Sequence, residues 1–353
     1  EMPTSAAELE TLARKIFDRP HPDDVREQVK ALQEVAPLAE ELANCAFRDK
    51  DRTAWRLVQE GVFNLPVFRV SSGKSIESRR RPMMRGAVLS TGICDIIWDV
   101  EERNLTRLTP PEPLTGDRAA EFLEAEFRKR SVQHHPLFEY LATAQLTEEQ
   151  ERAAVLAYLH SVMVRIRTVH RSIMLVTLPL DFHDAVLLGR LITDELGHGE
   201  LDRAHAQLTA IDIERSWGSQ VDWHAPVKSV EMKAMLNWNL RTVTHPDSLW
   251  SFCGIFCIEW NSYLELRAAL TALRRRGIPD SKMEVLVVHG DGDPYDQDQH
   301  ALLVRNELGR RIASPEDCEL VYSGLAYHQS LYHGFFEVEF AQLRASVEAT
   351  RQA

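Results

Sequence analysis

Apolar residues recur at three- and four-residue spacing along most of this chain, and that spacing predicts amphipathic helices. Two such helices are expected over residues 6–17 and 24–48, with a break at Pro20 and Pro22 between them. Their apolar positions are Leu9, Leu12 and Ile16 in the first helix, and Val25, Val29, Leu32, Val35, Leu38 and Leu42 in the second.

The pattern returns after residue 118 and holds to the end of the chain, without the alternation that strands show. Capping residues support it, because Thr147 precedes a run of glutamates, Ser314 precedes Pro315, and Gly277 follows a long apolar stretch. This part of the chain is therefore predicted to be a helical bundle. The expected helices are 118–131, 136–145, 147–176, 183–211, 226–243, 247–276, 281–289, 294–311 and 315–350.

The region between these two parts is harder to assign. Residues 61–100 mix short apolar runs with Gly and Ser, which is compatible with a hairpin, extended segments or irregular helix. Residues 104–117 hold three prolines and several threonines, which is typical of a linker. We therefore expect an all-α protein with an N-terminal, mainly helical extension over residues 1–117 and a bundle over residues 118–353.

Composition excludes several classes of function. With 41 basic and 53 acidic residues the net charge is −12, which disfavours binding to nucleic-acid phosphates. No stretch reaches the roughly 18 apolar residues of a membrane span, and the N-terminus lacks a signal-peptide core. Five cysteines give no disulfide framework; Cys253 and Cys257 are expected in the core, with a zinc site as the alternative. A cytoplasmic protein is expected.

Three clusters of acidic and imidazole side chains are candidates for chemistry. The first follows an apolar helix and runs from Asp194 to His205, with Glu195 near its start. On a continuous helix, His198, Asp202 and His205 would share one face. Carboxylate and imidazole together suit iron or manganese. A solvent-facing turn with ordinary histidines explains the cluster equally well.

The second candidate is Glu259, which follows eight largely apolar residues and precedes Trp260. Such a carboxylate is expected to be buried, and burial of an unpaired charge is costly unless a cation, a metal or a proton compensates it. A salt bridge to an arginine is the simpler explanation for a single glutamate.

The third cluster lies between two apolar runs, and on a continuous helix four of its side chains would lie on one side: His289, Asp293, Asp296 and His300. Pro294 and two glycines indicate instead that the helix is broken, in which case Asp293 could cap a helix that begins at Pro294. A calcium loop is another alternative, but the bidentate glutamate of such loops is missing and histidine is a poor calcium ligand.

Together the clusters resemble the haem-oxygenase-like di-iron oxidases over about residues 130–345, and facing helices of a bundle can unite such side chains in one site. That family has a Glu and a later His on one helix, a lone Glu on a second, and His, Asp and His on a third. Glu195, with Gly197 after it, and His205 match the first pair. Glu259 matches the lone carboxylate, and His289 begins the third set.

Two positions depart from the family pattern. Asp296 stands where the last histidine is expected, so we favour Asp296 with His300 as ligands and keep Asp293 as the alternative. Some members carry an additional glutamate on the preceding helix, where this chain has His170. We expect His170 to be an ordinary core histidine.

The resemblance implies an oxidoreductase with a haem-oxygenase-like bundle, two Fe(II) ions and O2 as co-substrate, and it allows for an external electron donor. It implies a small substrate, chiefly a free amino acid or a fatty acid, and no further catalytic residues. Residues 1–117 would be a lid or a dimerisation region, and a homodimer is expected. The implied ligands are Glu195, His205, Glu259, His289, Asp293, Asp296 and His300.

Basic residues expected outside the bundle, at Arg79–Arg81, Arg165 and Arg167, favour an amino acid, whose carboxylate suits a guanidinium partner. An aliphatic L-amino acid such as isoleucine or valine would lose hydrogen from a C–H bond. Desaturation or closure of an azetidine ring would follow, as in members of polyoxin-type antibiotic pathways. The alternatives are an N-oxygenase or fatty-acid oxidase of this fold, a cofactorless member, and a non-catalytic scaffold with a structural metal.

Overall fold

The computed structural model describes residues 5–65, 87–175, 181–223, 225–291 and 300–350, with the backbone alone for residues 170–175. Every regular element in these ranges is a helix, and none is a strand, which confirms the prediction of an all-α protein. Contacts divide the chain into two compact units, of which one ends at Thr106 and the other begins at Arg107. The domain boundary after residue 117 and the role of the N-terminal extension stay predictions.

The first unit contains four α-helices in its described part. The capping box of Ser5 and Glu8 opens the first of them, which buries Leu9, Leu12 and Ile16 as predicted. The helices are α1 (Ala6–Phe17), α2 (Val25–Ala43), α3 (Arg52–Asn64) and α4 (Ala87–Arg103).

The buried face of α2 differs from the predicted one. Val25 and Val29 are 58% and 42% exposed, while Gln28 is buried in their place. The reason is a hydrogen-bond role that an apolar residue could not fill: Gln28 donates to Pro22 O (2.9 Å) and accepts the N–H of Val88 (3.0 Å). A buried polar group that is satisfied in this way can replace an apolar one.

Part of the region that the sequence left unassigned is the helix α4. It buries Leu89, Ile93, Ile97 and Val100, which follow one another at helical spacing. A hairpin is therefore wrong for residues 87–100. Residues 66–86, with Arg79–Arg81, lie outside the described residues.

The second unit is a bundle of ten α-helices in its described part, and the predicted caps at Thr147, Ser314 and Gly277 are confirmed. Within the described ranges, no helix is both long and apolar enough to cross a membrane. The helices are α5 (Gly116–Arg130), α6 (Pro136–Thr143), α7 (Glu148–Leu175), α8 (Phe182–Glu195), α9 (His205–Ile211), α10 (Val230–Val243), α11 (Ser248–Arg276), α12 (Glu284–Gly290), α13 (His300–Arg311) and α14 (Pro315–Ala349).

The helix α11 forms the core of this unit. All its residues from 249 to 261 are buried, and it packs against α6, α10, α12, α13 and α14. A helix that is apolar on all sides must be enclosed by its neighbours. Cys253 and Cys257 are buried thiols in this stretch, which confirms them as core residues. The same enclosure places Glu259 in the interior.

Candidate metal centre

Glu195 reaches the interior because it lies on the buried face of α8. Asp181 caps this helix by accepting the N–H of Asp184 (3.0 Å). The buried positions that follow are Leu188, Leu191 and Glu195, at three- and four-residue spacing from Asp184. A carboxylate therefore occupies the last position of an otherwise largely apolar stripe, where only 7% of Glu195 is exposed.

The helix predicted over residues 183–211 is interrupted after Glu195. Gly197 has φ +66°, and a Cβ atom there would lie 2.5 Å from the backbone nitrogen of Ala204. Only glycine permits both the left-handed backbone and this close approach. Two short 3₁₀ turns, Gly197–Gly199 and Leu201–Arg203, then fold the chain back on itself.

This reversal brings His205, the first residue of α9, next to Glu195. His205 Nδ1 lies 2.8 Å from Glu195 Oε2, and both side chains are about nine-tenths buried. The predicted common helical face of His198, Asp202 and His205 is wrong, because two short 3₁₀ turns replace the continuous α-helix between them. Asp202 is exposed, and His198 turns to Asp194 instead.

Glu259 and His300 meet Glu195 from two other helices. Glu259 is 7% exposed on α11. His300 begins α13, and its Nδ1 lies 3.4 Å from Glu259 Oε2 and 3.7 Å from Glu195 Oε1. The glutamates from α8 and α11 therefore face the same nitrogen of one imidazole.

His289 approaches from the last turn of α12. Its Nδ1 lies 2.8 Å from Val285 O, and a hydrogen bond to that carbonyl requires the proton on Nδ1. The lone pair is then on Nε2. The His289 ring lies edge to face with the His205 ring, at 4.3 Å between centroids.

The five side chains form two overlapping groups. Glu195, His205 and His289 can each offer a ligand atom within 4.8 Å of the others, and so can Glu195, Glu259 and His300. Glu195 belongs to both groups, because its Oε2 faces His205 and its Oε1 faces His300. Mixed carboxylate and imidazole donors suit iron, which accepts both.

The charge balance of the centre also favours a cation. Burial by itself lowers the pKa of His300, but Glu259, Asp194 and Glu195 outweigh it and raise this pKa to about 10. In the metal-free protein His300 is therefore the positive charge that the buried carboxylates require. Metal ions at the same place would take over that role, and imidazole would become a neutral ligand.

Some predicted ligands cannot be placed. Asp293 and Asp296 lie outside the described residues, as does the side chain of His170. The described chain does show that α12 ends at Gly290, so the helix is broken after His289 as the glycines indicated.

A cavity adjoins the centre. It is partly open to solvent, and it reaches Glu195, Glu259 and His289. Its aliphatic wall comes from Val162, Ile166, Val169, Ile258 and Leu266, and its polar wall from Arg165, Asn239, Ser262, Glu265 and Tyr332.

Arg165 and Arg167 lie in α7, inside the bundle, which corrects the prediction that they lie outside it. Arg165 is buried and donates through both terminal nitrogens to Glu265, each at 2.5 Å. Arg167 donates to the carbonyls of Trp223 and Ala225. Because Glu265 compensates the charge of Arg165, this guanidinium can offer a substrate carboxylate a hydrogen-bond donor but no uncompensated positive charge.

Sequence reasoning assigned no role to three residues of the site, although Asp194 begins the first candidate cluster. Asp194 contacts two histidines, and its position directly before Glu195 was the available signal. Asn239 and Glu265 line the cavity. Each stands directly between two apolar residues, Trp238 and Leu240 in one case and Leu264 and Leu266 in the other.

A family model described as iron-containing redox enzyme matches residues 134–332, which is more than half of the chain. All five clustered side chains, Asp194 and the cavity residues fall within the matched range. No curated protein matches the chain.

Proposed function

The chain belongs to the haem-oxygenase-like family of iron-containing redox enzymes, and on that basis we propose that it is an O2-dependent di-iron oxidase of a small aliphatic amino acid. The proposed ligands among the described residues are Glu195, His205, Glu259, His289 and His300. Asp296, with Asp293 as its alternative, would complete the set.

The observation that carries the proposal is the shared position of Glu195. One carboxylate takes part in two three-residue groups, each of which contains a buried acid and an imidazole. A single ion would not require both groups, and a structural metal would not require an adjoining cavity. Two Fe(II) ions, when bound, supply the electrons and open coordination positions with which O2 is reduced.

The protein's own residues hold the substrate and keep water away. The aliphatic wall excludes water and accepts a short hydrocarbon chain, whose C–H bonds then lie beside Glu195, Glu259 and His289. Within the described residues, Arg165 Nε and Asn239 Oδ1 are buried without a hydrogen-bond partner. They offer one donor and one acceptor on the polar wall.

These groups support an amino acid rather than a fatty acid. The Arg165–Glu265 pair is neutral overall, so a fatty-acid anion would add an uncompensated charge at that wall. A zwitterion adds no net charge, and its carboxylate and ammonium groups could use the Arg165 donor and the Asn239 acceptor. Isoleucine and valine have short apolar side chains that suit the aliphatic wall, and loss of two hydrogens with or without ring closure is the proposed outcome. The substrate would supply two electrons and the two Fe(II) ions together another two, so that O2 leaves as two waters, and an external electron donor would restore Fe(II).

The test begins with metal content. Wild-type protein reconstituted with Fe(II) under anaerobic conditions should hold close to two irons per chain, and Glu259→Gln should lose iron and activity together because a buried anionic ligand is gone. His21→Ala, in the first unit, is the control and should change neither. Substoichiometric iron in the wild type, or full iron and activity in Glu259→Gln, would contradict the proposal.

A second experiment tests the proposed substrate class. Ferrous protein should consume O2 faster when free isoleucine or valine is present, and mass spectrometry should show a product that lacks two hydrogens. A medium-chain fatty acid should give no such stimulation. Stimulation by the fatty acid alone would retain the oxidase and overturn the amino-acid assignment.

A further inference from the structure

Asp194 lies between two histidines at the edge of the metal centre. Its Oδ2 is 2.8 Å from Nε2 of His300, and its Oδ1 is 2.8 Å from Nε2 of His198. The other ring nitrogen of His300, Nδ1, is the one that faces Glu195 and Glu259. The imidazole is therefore held on one side by Asp194 and directed on its other side at the proposed iron ligands.

This contact determines which nitrogen of His300 is available to a metal. A carboxylate accepts a hydrogen bond, so Asp194 requires the proton of His300 on Nε2. In neutral imidazole the lone pair is then on Nδ1. We propose that Asp194 is a positioning residue that sets the tautomer and orientation of His300 for metal binding, an inference that rests on the proposed iron site.

His198 extends the arrangement by one residue. Its backbone is left-handed, with φ 55°, a conformation that costs a residue with a side chain roughly 1 kcal/mol or more. This conformation allows its ring to reach back to the Asp194 carboxylate, which lies four residues earlier. The turn that begins at Gly197 therefore orients Asp194 as well as returning His205 to Glu195.

We expect Asp194 to contribute less to folding than the buried carboxylates Glu195 and Glu259, because it is more exposed. Its side chain is 38% exposed and that of His198 is 57% exposed. The exposed pair with His198 contributes about 0–1 kcal/mol, and Glu195 and Glu259 still face His300 when Asp194 is replaced. Replacement of Asp194 should therefore leave the protein folded, so that an effect on metal binding can be measured separately.

The experiment compares Asp194→Ala with Asp194→Asn by titration of metal-free protein with Co(II), whose visible spectrum reports the ligand geometry. The Ala variant should bind Co(II) about 10- to 100-fold more weakly, with an altered spectrum, as is typical when the partner of a metal-bound histidine is removed. The Asn variant should stay within a few-fold of wild type, because its amide oxygen still accepts from Nε2–H. Asp202→Ala, an exposed aspartate in the same loop, is the matched control.

Two results would overturn the inference. Wild-type affinity and spectrum in Asp194→Ala would show that His300 needs no positioning partner. Equal losses in the Ala and Asn variants would show that the charge of Asp194 matters, and not its hydrogen bond.

Glu259→Gln separates this inference from the proposed iron site. If Glu259→Gln loses Co(II) while Asp194→Ala keeps it, the iron site stands and only the positioning role fails. If Glu259→Gln binds Co(II) as wild type does, or wild type binds none, the site itself is wrong and both proposals fall.

Discussion

Two histidines of the second unit, His300 and His328, are held in opposite charge states by their neighbours. His300 faces three carboxylates, which outweigh its burial and raise its pKa to about 10. His328 is fully buried, and its Nε2 lies 2.8 Å from the amide nitrogen of Asn261, whose oxygen accepts from Gln329. Burial without a carboxylate lowers the pKa of His328 to about 3. Neighbouring charge, and not burial alone, therefore decides which imidazole is cationic.

The neutral state of His328 predicts a specific acid sensitivity. The His328 ring binds a proton near pH 6.5 in the unfolded chain and only near pH 3 in the folded protein. The contribution of the neutral ring to the free energy of unfolding is therefore fully present above pH 6.5 and is lost as the pH falls towards 3. The stability advantage of wild type over His328→Gln should shrink by roughly 3 kcal/mol between pH 7 and pH 4. Urea unfolding of the metal-free proteins at several pH values measures this, and parallel pH curves would refute it.

At the scale of helices, close approach to α11 depends on residues without side chains. A Cβ atom on Gly254 would lie 2.3 Å from Thr242 Oγ1 on α10, and one on Gly290 would lie 2.9 Å from Arg267 Cα. The second contact sets α12 against the core helix at the residue after His289. The helix that carries Glu259 and the helix that carries His289 are thus brought together by glycine at their contact.

Gly254→Ala should therefore destabilise the protein by about 1–3 kcal/mol, because the new methyl group forces α10 and α11 apart. Gly334→Ala is the matched comparison, since it lies inside α14 with open space at its Cβ position. That change should stabilise by roughly 0.5–1 kcal/mol through helix propensity. Chemical denaturation of both variants checks the prediction, and equal effects of the two substitutions would contradict it.

At the scale of the whole molecule, the five proposed ligands come from α8, α9, α11, α12 and α13. Several of these helices are short or begin at a ligand, so few of their own hydrogen bonds hold them in place. A metal ion that binds the folded arrangement and not the unfolded chain stabilises the fold by mass action.

Anaerobic Fe(II) should accordingly raise the unfolding temperature. At a free concentration of about 100 times Kd the stabilisation is about 2.7 kcal/mol. For the second unit this corresponds to a shift of several degrees. Glu259→Gln should shift much less, because it lacks a ligand. A thermal scan with the same shift in both proteins would mean that iron acts elsewhere on the chain.

The local pattern of apolar and polar residues was sufficient to predict most of the helices and part of the site. Apolar spacing predicts most helices of the second unit, and the apolar residues around Glu259 predict its burial, because periodicity and burial are properties of neighbouring residues. Clustering of acids and imidazoles singled out His205, His289 and His300, and the resemblance to the family grouped them with Glu195 and Glu259, as the structure does. The predicted buried face of α2 was wrong at Val25 and Val29. Gln28 is buried there instead, because it accepts a hydrogen bond from Val88, which lies 60 residues away in the sequence.

Only the tertiary structure decided how the side chains meet. The sequence determined that acids and imidazoles lie at the ends of apolar helices, but a continuous helix over 183–211 would have pointed His205 away from Glu195. The reversal at Gly197 depends on backbone contact with Ala204, and the pairing of Arg165 with Glu265 joins residues 100 positions apart. Such contacts follow from the packing of whole helices, which no local pattern specifies.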